Sequence, residues 1–212
     1  GKYDWTTSGL MKLLNSNDYY TTISGEIGQS LYWNSASGKC YYYSGSTFNS
    51  ISCNFESTGI KNDVTRALIS EETWNLGGTS GGNMYSDSMY GYERGTTVYS
   101  GRPTTWTGKI GLMYPSDYGY AADFSKCTNK ILDSYGSCSG VDWLYNGDTQ
   151  WTLTPKSNTT FYVFCVDSSS ISSTAWGVAK GVSVRPALYL VSDLIIFSGD
   201  GTSSNPYKLS VN

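Results

Sequence analysis

The stretch Gly181-Val-Ser-Val-Arg-Pro-Ala-Leu-Tyr-Leu190 constrains the fold of this chain more than any other. Val182, Val184, Leu188 and Leu190 alternate with other residues, the period of a strand that buries one face. Arg185-Pro186 interrupts the alternation, because proline has no ladder donor and is tolerated at an edge or bulge. An arginine at such a break is expected to be structural, satisfying backbone carbonyls where the ladder opens. The segment closes a run of strand signals that begins at Trp151-Thr-Leu-Thr-Pro155 and continues through Phe161–Val166 and Ala175–Val178. Ile195–Phe197 and Tyr207–Val211 follow it, with Gly199-Asp-Gly201 supplying a turn between them.

Upstream, the pattern changes. Ser8 is placed to cap a short helix that buries Leu10, Met11, Leu13 and Leu14 on one face. A second helix is expected from Thr58 or Asn62, with Val64, Ala67 and Leu68 at helical spacing, ending by Trp74-Asn-Leu-Gly-Gly78. Ile110-Gly-Leu-Met-Tyr-Pro115 reads as a buried strand ended by proline. Ser116 or Asp117 then caps a short helix through Tyr120, Ala121 and Ala122. Between these, residues 77–108 are poor in aliphatics, and a loop-rich excursion with a ribbon near Thr96-Thr-Val-Tyr99 is expected. No linker or tandem repeat divides the 212 residues, which reads as one domain.

Charge narrows the function. Only 15% of residues are charged, against about 25% in ordinary soluble proteins, and the net charge is −3 without a Lys/Arg cluster. Nucleic-acid binding rests on phosphate neutralisation and is not expected. No apolar run approaches the length of a membrane span. The chain opens at Gly1-Lys-Tyr-Asp without a signal peptide, as a mature form or an excised piece would. Histidine is absent altogether, which removes His-based triads, His metal sites and the commonest general base. No metal or other cofactor is expected, and enzymatic activity is not expected either. The 19 Tyr and 7 Trp, with abundant Gly, Ser and Asn, suit extracellular β-rich surfaces, where rigid rings give contact area at low entropic cost.

Four of the five cysteines form local pairs across polar loops. Cys40–Cys53 and Cys127–Cys138 are expected as disulfides, which places the chain in an oxidising exterior. Their spacing fits no zinc pattern. Cys165, in an apolar run, reads as a buried thiol.

In order along the chain stand Ile110-Gly-Leu-Met-Tyr-Pro-Ser-Asp117, Trp151-Thr-Leu-Thr-Pro155 and Gly181-Val-Ser-Val-Arg-Pro186. With them go Ser30-Leu-Tyr-Trp33, Arg102-Pro-Thr-Thr-Trp106 and Gly199-Asp-Gly-Thr202 with Asn205-Pro-Tyr207. This ordered set resembles a domain-of-unknown-function family of Firmicutes and Mollicutes surface proteins, over most of residues 5–209. That group is similar in layout to the C-type-lectin-like fold, in the branch with formylglycine-generating enzymes and the variable proteins of diversity-generating retroelements. The resemblance implies an α+β domain with two short helices, a small antiparallel sheet and a long loop-rich insertion. It implies a surface location, not a chemistry. The cysteine pair of the enzymes and the calcium-binding tripeptides of animal lectins are both missing.

Ligand recognition is expected on the excursion, through Tyr85, Tyr90, Tyr92, Arg94, Tyr99 and Arg102, since Tyr and Arg are common interface anchors. An alternative is sugar stacking by Trp143, Tyr145 and Trp176. The partner class is a host or bacterial surface protein or a glycan. A third reading makes the chain a subunit that self-assembles into a pilus or surface fibre.

Overall fold

The fold is organised around a strand that is apolar on both sides. The computed structural model describes residues 4–15, 31–32, 39–44, 47–52, 66–82, 84–172 and 181–211. Within it Val163–Val166 forms β8, flanked by β7 (Gln150–Pro155) and the short β9 (Ile171–Ser172) in one antiparallel sheet. Every residue of β7 and β8 is buried. Alternation along β8 divides the interior in two. Val163 and Cys165 enter a cluster with Trp5, Leu10, Trp74, Leu112, Trp151 and Leu153. Phe164 and Val166 point the other way, into a cluster with Met84, Met89, Tyr118, Leu132 and Tyr135. A continuous apolar run is what a strand covered on both faces requires.

Short antiparallel pairs surround this sheet. Strand β4 (Glu72–Asn75) pairs with β5 (Thr105–Gly108), setting Trp74 opposite Trp106. Strand β1 (Leu31–Tyr32) pairs with β10 (Gly181–Val182), and β6 (Ile110–Leu112) with β11 (Pro186–Leu188). The 181–190 segment is therefore two strands with different partners, and its break falls at Arg185. That side chain is half-buried and near enough to the Tyr118 phenol to lower its pKa, against a larger upward push from burial. The expected bonds to backbone carbonyls are not formed among the described residues. Strands β2 (Lys39–Ser44) and β3 (Thr47–Ser52) make a hairpin, as do β12 (Leu194–Ser198) and β13 (Lys208–Val211).

Helix α1 (Gly9–Asn15) starts as expected, with Ser8 Oγ accepting from the Met11 amide at 3.0 Å. It ends on Asn15, whose amide group exchanges two 2.9 Å hydrogen bonds with the backbone of Ile110. Helix α3 (Pro115–Ala121) is capped at Tyr114, two residues before Ser116 and three before Asp117, the caps expected. Proline occupies its first turn, where no amide donor is needed, and Asp117 Oδ2 accepts from the Tyr114 amide at 2.7 Å. The larger correction concerns residues 77–108, where Ser86–Glu93 forms helix α2 instead of a loop with ribbons. Its buried face is only Ser86, Met89 and Glu93, too narrow and too polar to register as apolar periodicity. Three α-helices lie wholly among the described residues, and Arg66–Ala67 are helical too, against the two short helices expected. Most of the helix expected from Thr58 or Asn62, and the strand expected at 175–178, lie outside the described residues.

The Cys127–Cys138 disulfide is formed, with a Cα–Cα distance of 4.9 Å, and Cys165 is a buried thiol outside it. Cys53 lies outside the described residues, so the Cys40–Cys53 pair does too. Among the described residues no helix is long and apolar enough to cross a membrane.

Candidate functional site

Helices α2 and α3 pack closely because Gly119 faces Ser86. A Cβ on Gly119 would stand 2.1 Å from Ser86 Oγ. This approach brings the last residue of α2 to the first turn of α3. Glu93 is fully buried, and its carboxyl accepts from the Ser116 amide at 2.9 Å and from the Ser116 hydroxyl. An open helix N-terminus needs acceptors, and Glu93 provides one from the neighbouring helix. Burial pushes the Glu93 carboxyl up to about 8, although Ser116 and Arg94 pull it down. Desolvation disfavours the charged form, so Glu93 holds its proton at neutral pH.

Above this buried group sits an exposed one. Arg94 bonds Glu93 Oε2 at 3.1 Å, and its guanidinium carbon lies 3.4 Å from the Tyr90 ring centroid. Tyr120, 58% exposed, meets Tyr90 edge-on at 6.3 Å. An arginine stacked on a tyrosine ring is a recognised interaction geometry. Tyr90, Arg94 and Tyr120 therefore form one surface group, anchored from below through Glu93. The sequence reading missed Tyr120, Glu93 and Ser116. The Glu93-Arg94 dipeptide looks like a solvated helix face until α3 is placed against it.

The other expected residues are distributed differently. Tyr85, the residue before α2, and Tyr92 are exposed and seven positions apart, on the flank away from Tyr90. Tyr99 is exposed in the loop that follows. Arg102 makes a 3.0 Å ion pair with Asp4 in a cleft beside Trp5, Leu76 and Leu153, where it ties the N-terminal segment to the loop before β5. Trp106 packs edge-on against Trp5 at 5.8 Å.

The alternative aromatic group is partly assembled. Trp143 is 80% exposed. Its turn is fixed by buried Asp142, which accepts from the Leu144 and Tyr145 amides at 2.6 and 3.3 Å and from the Tyr135 hydroxyl. Tyr145 packs edge-on against Tyr135 at 6.0 Å. Trp176 lies outside the described residues. Among the described residues no cluster of His, Cys, Asp or Glu has the makings of a metal site. Asp123 pairs with Lys126 at 2.9 Å, and hydrogen bonds from Ser125 and Lys126 hold its carboxyl down at about 2. Compared with protein-family models, curated proteins and solved structures, the chain matches none.

Proposed function

We propose that this chain is a non-catalytic recognition domain of an extracellular bacterial surface protein, C-type-lectin-like in layout, that binds a protein or glycan. The observation that carries this reading is the Tyr90–Arg94–Tyr120 group. Exposed rings and an arginine are held on two helices whose junction is fixed by a buried hydrogen-bonded carboxyl, the rigid mounting that recognition sites need. Support for the extracellular setting comes from the Cys127–Cys138 bridge. The acidic side chains behind the group, Glu93 and Asp117, are engaged in hydrogen bonds at the start of α3, which favours binding over acid–base chemistry.

A glycan array and a pull-down from host and bacterial surface extracts test it. Tyr90→Ala/Tyr120→Ala should abolish the captured interaction without lowering the melting temperature, while Trp143→Ala should retain it. Loss in Trp143→Ala alone would move the site to the 142–148 turn. Binding in neither assay would favour the second reading, a structural subunit of a pilus or surface fibre, for which the exposed apolar β12–β13 hairpin is the supporting observation.

A further inference from the structure

Arg94 is held from several sides yet uses only part of its donor set. Its guanidinium lies on the Tyr90 ring and 5.3 Å from the centroid of buried Tyr114. Nη1 makes its hydrogen bonds, to Glu93 Oε2 at 3.1 Å and to the Tyr90 carbonyl at 3.4 Å. Nε and Nη2 have no hydrogen-bond partner among the described residues and are not sealed from solvent, and the side chain is 30% exposed. Two parallel N–H groups on a fixed planar edge match a carboxylate. The acids around Arg94 leave its charge available. Glu93 holds its proton at neutral pH, while Asp117 turns Oδ2 to the Tyr114 amide and makes no ion pair with Arg94. Asp87 stands seven residues back on α2, about 10 Å along the helix axis, where solvent and salt screen it.

We infer that the open edge of Arg94 receives a carboxylate and that the ligand is an acidic sugar, a uronic or sialic acid unit of a glycan. The inference rests on the recognition reading above and narrows it to one ligand class. A single cation suits a monoanionic carboxylate, whereas phosphate recognition draws on arginine clusters. Among the described residues no second Lys or Arg stacks on Tyr90, Tyr114 or Tyr120. With its carboxylate on Arg94, a sugar ring meets Tyr90 and Tyr120, which are 45% and 58% exposed. Those rings stand at 73° to each other and offer both stacking area and phenol hydroxyls that donate and accept. An acidic peptide also brings backbone donors and acceptors, which strand edges and grooves satisfy. This surface is mounted on α2 and α3, and helices spend their backbone groups internally.

Titration of the purified chain provides the test, with oligogalacturonate, oligomannuronate and sialyllactose beside the same sugars after reduction of their carboxyls to alcohols. Binding is followed on the NMR signal of the Arg94 Nε–H, assigned by its loss in Arg94→Lys. At least one acid should shift that signal and bind about tenfold or more tightly than its reduced form. Arg94→Lys keeps the charge and loses the fork, so it should weaken that binding by at least about tenfold. Its melting temperature is recorded beside it, and the comparison of acid with reduced sugar decides the matter even if the variant unfolds. No shift with any of the acids up to about 10 mM overturns the inference. So does a glutamate peptide that binds as tightly as the best sugar. A glycan or protein that binds through Tyr90 and Tyr120 but ignores both carboxyl reduction and Arg94→Lys overturns the carboxylate assignment and leaves the recognition surface standing.

Discussion

Strand β7 and strand β12 invert the usual relation between sequence and burial. In β7, Gln150, Thr152 and Thr154 alternate with Trp151 and Leu153, and all of them are buried. In β12, Leu194-Ile-Ile-Phe197 is apolar throughout, yet Ile195, Ile196 and Phe197 are exposed. Two of the three polar positions of β7 have partners. Thr152 Oγ1 donates to the Phe164 carbonyl at 2.7 Å, and Gln150 Oε1 accepts from the Tyr118 hydroxyl at 2.6 Å. The apolar positions of β12 have no cover within the described chain. Burial is decided by where the topology puts a strand, and apolar character left outside marks an unfinished contact.

The sharpest way to break this contrast is to truncate one ring in each strand. Trp151 is fully buried in the first cluster with Leu112 and Val163, so Trp151→Ala should cost about 3–5 kcal/mol. Phe197→Ala, in dilute solution, should stay within about 0.5 kcal/mol of wild type. Urea midpoints decide it, and equal losses would mean that the hairpin is part of the folding core.

Next in size is the pH dependence set by Glu93, whose folded carboxyl titrates at about 8 against 4.5 in the open chain. Between those values the native state holds a proton that the unfolded state has released. The Glu93 contribution to stability is therefore fully present below about 4.5 and is lost as pH rises to about 8, with a full swing on the order of 5 kcal/mol. Asp117, also raised by burial, slopes the same way. Glu93→Gln should flatten the profile while keeping an oxygen for the Ser116 amide. Stability that rises from pH 5 to 8 would overturn the placement of Glu93. The same scan should leave the hairpin unaffected, since nothing buried titrates there.

The disulfide comes third. Bridging residues 11 apart in sequence, it should contribute about 3 kcal/mol in the chain-entropy account. Cys127→Ser/Cys138→Ser should lower the melting temperature by that equivalent. Cys138 is buried in the second cluster, so the loss is expected around β8 and not in the hairpin, as hydrogen exchange would show.

How much of this was legible in the sequence depended on the signal each element carries. Phe161–Val166 announced a strand, and Ser8 announced α1, because an apolar run and a cap are local signals. Helix α2 was hidden, since its buried face is a serine, a methionine and a protonated glutamate. Its partner, α3, lies more than twenty residues on. Tyr90 and Arg94 were expected at a site, but Tyr120 was not, because only the close approach at Gly119 joins them. The exposure of β12 was equally hidden, as apolar alternation reads the same whether or not anything covers it.

The smallest effect separates two threonines on one strand. Thr152 and Thr154 are both fully buried on β7. Thr152 donates to Phe164 O, while Thr154 Oγ1 has no hydrogen-bond partner among the described residues. Valine matches the shape of threonine and lacks its hydroxyl. Thr152→Val should cost about 1 kcal/mol, because the Phe164 carbonyl loses a donor in a dry interior. Thr154→Val removes a hydroxyl that already bears its desolvation cost, so it should be neutral or stabilising by up to about 1 kcal/mol. Urea denaturation of the two variants in parallel checks the difference, which holds strand, depth and substitution constant. If both lose stability equally, Thr154 has an unseen partner, and β7 tolerates its polar side chains by full pairing. If only Thr152→Val does, the strand is buried by topology strongly enough to carry one unpaired hydroxyl, as β12 is held out strongly enough to expose its isoleucines.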